Sequence, residues 1–222
     1  MTSKLLRSGV QGISRTTQAN VVEYLRRAIL SGELPPGTRL VQAELASALQ
    51  ISVTPIREAL WELNSQGLVD FGAFRGATVH VPTLAELEDI FEVRTALLPA
   101  CVRRGVNQTT PQQLDQAATI LDQMAVEPDQ TRWIALNRDF HKCLYGTKPN
   151  QHLQSVLERL GDIATIYINL SFAHNLAERS ASDQEHWDIL SAYRNRDTEQ
   201  AIALSLSHIQ TTLTAARQVL SA

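Results

Sequence analysis

The chain has 222 residues, 44% of them hydrophobic and 19% charged, with a formal net charge of −3. No apolar run approaches the roughly 20 residues that span a bilayer. The first residues lack the apolar core of a secretory signal, and Cys101 and Cys143 have neither metal-site nor redox spacing. These features weigh against a membrane protein, a secreted protein and a disulfide scaffold, and predict a cytoplasmic chain with free thiols. The charge is uneven. Residues 1–81 carry eight basic against six acidic side chains, and residues 82–222 carry 12 against 17. A basic head on an acidic body suits a protein that touches DNA with one domain.

Residues 1–15, with Lys4, Arg7 and Arg15, read as a flexible, mildly basic arm. Residues 17–30 are amphipathic through Val21, Val22, Leu25, Ala28 and Ile29, and stop at Ser31-Gly32. Pro35-Pro36-Gly37 reverses the chain. Residues 42–50 form a second helix, with Leu45, Ala46, Ala48 and Leu49 on its inner face, and a turn follows over 50–54. Thr54 is the expected N-cap of a third helix, with Pro55 at its first position. Ile56, Leu60 and Leu63 recur at helical spacing, so Ser52, Thr54 and Arg57 face outward. Gly67 stops this helix, and residues 68–71 and 77–81 read as strands around a glycine-bearing turn with Arg75 near its tip. Three helices and a two-stranded wing make a winged helix-turn-helix over residues 16–81. In such modules the first residues of the second helix of the pair reach base edges. The plainer alternative, an αα-hairpin, does not account for the wing.

Pro82 is the expected joint to a second domain, residues 82–222. Thr83 caps its first helix, with Glu86 as capping-box partner. Helices then follow at about 83–105, 111–125, 130–145, 150–170, 182–195 and 198–220, separated by breakers such as Gly105 and Pro128. This is an all-α bundle. The first helix is broadly apolar (Leu84, Leu87, Ile90, Phe91, Val93, Leu97, Leu98). Most of that face belongs to the core, and part is available for the two-fold dimer that paired half-sites demand. Asn137 and His141 lie one turn apart on a single face; His186 and His208 sit on the last two helices. Three imidazoles and an amide oxygen can converge on a divalent metal within a bundle. Isolated helical histidines are also commonly surface or hydrogen-bonded core groups.

The stretch LSGELPPGTRLVQAELASALQISVTPIREALWELNSQGLV closely resembles the DNA-binding domain of the GntR superfamily of bacterial transcription regulators. That resemblance implies operator contacts from Gln42, Ser52, Thr54, Arg57, Arg75 and Gly76. Val53 stands where the family often has arginine, and Ala43 where it often has a basic residue, so the operator sequence does not carry over.

NRDFHKCLY, EHWDIL and ALSLSHIQ are similar to the three ligand-bearing segments of the FCD domain, the sensor of the FadR subfamily. The resemblance implies a divalent ion, Zn or Ni, held by Asn137, His141, His186 and His208. Asn137 replaces the usual aspartate and removes one unit of ligand charge. It also implies an effector that is a small carboxylic acid bound at the metal, with Arg94 receiving its other end through a bidentate contact. The plainer fate of Arg94 is a solvated or salt-bridged arginine, and Leu98 replaces an acidic residue nearby. Tyr167 and Asn169 are further candidate lining residues, though core packing accounts for Tyr167 as well. Asp139 and Glu185 flank the ligands on other helical faces, so no base is poised for catalysis. The expectation is a homodimeric, effector-responsive repressor that binds double-stranded DNA and is not an enzyme. The rival readings are a metal-dependent enzyme on the bundle and a DNA-binding protein without a ligand.

Overall fold

The computed structural model describes residues 18–72, 76–145, 152–172 and 176–220, of which 167–172, 176–181 and 219–220 are described by backbone alone. The expected arm at 1–15, Arg75 at the tip of the wing, and the side chains of Tyr167 and Asn169 lie outside the described residues. The chain divides into two compact units, Met1–Pro82 and Thr83–Ala222.

In the first unit, helices α1 (Gln18–Leu30), α2 (Gln42–Leu49) and α3 (Val53–Ser65) precede a hairpin of β1 (Val69–Gly72) and β2 (Gly76–Val79). The strands pair antiparallel, with Val69 opposite Val79 and Gly72 opposite Gly76. Leu25, Leu45, Ile56, Leu60, Leu63 and Val79 are wholly buried where the helices and the hairpin meet. Both α1 and the β1 strand pack on α3. Gln50 ends α2 in the left-handed region, at φ 55°. One expectation is corrected here: α3 begins at Val53, with Ser52 rather than Thr54 in the N-cap position. Pro55 is therefore its third residue. The N–H groups of a first helical turn have no partner within the helix, so proline fits anywhere in that turn and does not mark its first residue.

The second unit is helical throughout its described residues, with α4 (Leu84–Gln108), α5 (Pro111–Val126), α6 (Gln130–Tyr145), α7 (His152–Phe172), α8 (Leu176–Arg194) and α9 (Thr198–Leu220). Thr83 caps α4 by accepting the Glu86 N–H at 3.3 Å. A full capping box joins Thr110 and Gln113 at the start of α5. Helix α4 packs along α9, α5 along α6, and α8 against both α5 and α9.

Gly105 does not break α4, which runs on through it and through Pro99. A methyl group at 105 would meet the Leu144 carbonyl oxygen, and would stand 3.0 Å from the Tyr193 hydroxyl. The glycine is thus the point where the end of α6 and the Tyr193 ring close onto α4. Just beyond it, Arg196 takes a left-handed φ of 57°. Its guanidinium donates to the carbonyls of Val106 and of Thr109, the latter at 2.8 Å, and so fastens the α8–α9 turn to the end of α4. Helix α8 also starts earlier than its expected boundary at Ser182.

Candidate functional site

Helix α6 presents Asn137 and His141 one turn apart, α8 supplies His186 and α9 supplies His208. The structure brings the three imidazoles together: one ring nitrogen from each lies within 4.8 Å of the other two. Ring centroids are 5.2 Å apart for His141–His186, 5.3 Å for His141–His208 and 4.6 Å for His186–His208. His186 is completely buried, and the Phe140 ring meets it edge-on at 4.9 Å. Burial, then the charge of His208, pushes the proton affinities of His141 and His186 well below the usual imidazole value. Arg94 adds to this at His141, and His141 adds to it at His186. Both rings are therefore neutral at physiological pH, the form in which imidazole binds a metal.

The donor set has unmet bonding capacity. Neither ring nitrogen of His186 has a hydrogen-bond partner, and neither does the buried Oδ1 of Asn137. A buried polar atom left unpaired costs about 1–3 kcal/mol, so a cation among these atoms would relieve the deficit. Three imidazoles and one amide oxygen suit a late first-row divalent ion such as Zn or Ni. The residues present fit the group.

Glu185 orients one of the candidate ligands. Its carboxylate lies 2.7 Å from Nδ1 of His208 and accepts the Thr211 hydroxyl at 3.0 Å. Burial alone would raise this carboxyl. The hydrogen bond and charge of His208, with the bond from Thr211, hold it below its ordinary value. In the neutral ring, Nδ1 would carry the proton that it donates to Glu185, leaving Nε2 as the lone-pair nitrogen. From the sequence, Glu185 flanks His186 on another helical face. Its placement next to His186 gives no hint that it serves His208.

Asn137, His141 and His208 line a cavity that also takes in Arg94, Lys142 and Tyr145, with about 800 Å³ of unfilled space, mouth included. His186 forms none of this wall and sits behind it. Arg94 stacks 4.8 Å over the Phe91 ring, and its Nη1 is buried without a hydrogen-bond partner. Burial lowers its proton affinity, with Tyr145 opposing, and burial pushes the Tyr145 hydroxyl up to about 12. The acids around the cavity are engaged. Asp162 pairs with Arg138 at 2.8 Å, and Glu158 accepts the Gln154 amide at 2.7 Å. Among the described residues, Arg94 has no ion-pair partner beside the histidines.

In the first unit, Ser52, Thr54 and Arg57 are exposed, as is Val53, while Gln42 is half-buried at the start of α2. Gly76 is exposed at the first position of β2 with φ +70°, a conformation that side chains disfavour. Trp61, one turn beyond Arg57, stacks on Phe71 of β1 with centroids 4.4 Å apart.

A winged helix-turn-helix followed by a helical bundle is the architecture of a DNA-binding transcription regulator with a second, all-helical domain. Residues 17–79 match the gntR family of bacterial regulatory proteins, and residues 89–211 match the FCD domain. The chain belongs to the GntR family, in the FadR-like branch that carries an FCD domain. It is 30% identical to the Nta operon transcriptional regulator of Aminobacter aminovorans, over 79% of this chain and 82% of that protein. It is 27% identical to the HTH-type transcriptional repressor RspR of Escherichia coli K12, over 90% of this chain and 88% of that one. Among solved structures, E. coli McbR/YncC superposes with a TM-score of 0.83 at 25% identity, covering 92% of this chain and 99% of that one. These relatives are transcription regulators and not enzymes. FCD domains often bind a metal and bind small-molecule effectors, and GntR regulators bind DNA and are typically dimers. No helix among the described residues is long and apolar enough to cross a membrane.

Proposed function

We propose that this GntR regulator is a homodimeric repressor whose grip on its operator is released by a small carboxylic acid bound at a divalent metal. The observation that carries the reading is the pairing of two unmet demands in one cavity: a histidine–amide donor set, and the buried, unpartnered Nη1 of Arg94. Asn137, His141, His186 and His208 would hold the ion, Zn or Ni. Bound there, it supplies a Lewis-acid centre that attracts a carboxylate. Arg94 holds the other end of the acid, and Glu185 keeps the His208 ring turned toward the site. Ser52, Thr54 and Arg57, with Gln42, Gly76 and Arg75, face the operator.

The effector does not touch DNA, because its cavity lies wholly within the second unit. It acts by binding one arrangement of the protein better than another. A coupling of about 1–3 kcal/mol would weaken operator binding roughly 5- to 150-fold, and operator would weaken effector binding by the same factor. Metal analysis of the purified protein comes first, then a thermal-shift screen of organic acids with and without chelator. Calorimetric titration of a stabilising acid, with and without operator DNA, completes the test. Equal affinity in both titrations would refute ligand-gated release.

A further inference from the structure

Two large apolar side chains on α3 are exposed, Val53 at 43% and Trp61 at 57%. Trp61 has a structural reason, since it stacks on Phe71 and joins helix to wing. Val53 is the first residue of α3, one turn before Arg57 on the same face. An N-cap at Thr54 would leave it outside the helix, in the preceding turn. With Ser52 at the N-cap instead, Val53 belongs to the end of the helix that enters the major groove in helix-turn-helix proteins.

A valine side chain can neither donate nor accept a hydrogen bond, so most of the major-groove pattern is invisible to it. One base feature in that groove is apolar, the 5-methyl group of thymine. Contact with it also removes from water an isopropyl group that the free protein leaves exposed.

We infer that Val53 is a specificity-determining residue that selects a thymine, through its 5-methyl group, in each operator half-site. This rests on the reading that α3 docks in the major groove. Arg57, one turn along, then reads a neighbouring position by hydrogen bonding. The half-site is thus specified by one methyl contact and one polar contact, not by two cations.

The test starts with full-length protein and a duplex selected by it from a randomised pool. Each thymine is then replaced in turn by deoxyuridine, which removes only the methyl group and keeps the pairing. In each half-site one replacement is expected to weaken wild-type binding about four-fold, the size expected for one buried methyl group. The same replacement should leave the affinity of Val53→Ala unchanged, because the contact is already gone. Val53→Arg should move the preference at that position from thymine to guanine. Thermal unfolding of both variants at the wild-type temperature shows the fold intact, as expected for a side chain on the surface. Enriched duplexes whose every thymine methyl matters equally to wild type and Val53→Ala would overturn the inference and leave the DNA-binding reading standing. A pool from which nothing is enriched would overturn both.

Discussion

Glu185 on α8 and His208 on α9 are held 2.7 Å apart, so one helix sets the tautomer of a candidate ligand on the other. Such partners of metal-bound histidines typically contribute 10- to 100-fold in metal affinity. Glu185→Gln keeps the shape of the side chain and removes its charge. It is expected to weaken Zn binding by about that factor, while His186, with no such partner, still binds. Competition with a chromophoric chelator measures this, and unchanged affinity would separate Glu185 from the site.

Direct ligands should matter more. His141→Ala or His208→Ala is expected to lower both metal content and stabilisation by organic acids. Asn137→Asp restores a charged oxygen to the donor set and is expected to tighten metal binding. Metal analysis showing equal content in wild type and in all three single-histidine variants would remove the centre.

The buried rings also predict a pH dependence in the metal-free protein. His141 and His186 are held well below the ordinary imidazole value, near 6.5. Their depressed folded values mean that the unfolded chain takes up protons first as pH falls. Their contribution to stability is thus present above about pH 6.5 and is lost below it. Two such groups give a slope approaching about 2.7 kcal/mol per pH unit. Urea unfolding of chelator-treated protein at a series of pH values would test this, with His186→Phe expected to flatten the slope.

On the DNA side, Arg57→Ala should cost about 1–3 kcal/mol per half-site and leave the fold intact, because the side chain is exposed on α3. A gel-shift titration with selected operator reads it. Wild-type affinity in the variant would mean that α3 does not dock by this face.

Gly105→Ala tests packing rather than recognition. The added methyl group must displace the Leu144 backbone carbonyl, and it also crowds the Tyr193 hydroxyl. A loss of about 1–3 kcal/mol is expected, with a fall of several degrees in Tm. Differential scanning calorimetry measures it.

Much of this was legible in the residues. The Thr83 cap of α4 was legible, because a threonine with glutamate three residues on is a local signal. Asn137 and His141 shared a face by periodicity alone. The meeting of His141 with His186 and His208 depended on tertiary packing, for which the resemblance substituted. Gly105 misled because an isolated helical glycine looks the same whether it ends a helix or admits a neighbour. Thr54 misled because Ser52 and Thr54 are both competent N-caps, and proline suits any position of a first turn. Arg196 and Glu185 gave no sequence signal, since each acts on a residue distant in the chain.

Helix α4 starts directly after its cap at Thr83 and also carries Arg94, eleven residues or ~16 Å farther along its axis. The one proline in that helix, Pro99, lies beyond Arg94. Three uninterrupted turns therefore join Arg94 to Thr83, the residue at which the second unit begins. A stretch of hydrogen-bonded helix has no soft dihedral to spend, so a pull on Arg94 would arrive at residue 83 as a displacement of the whole rod.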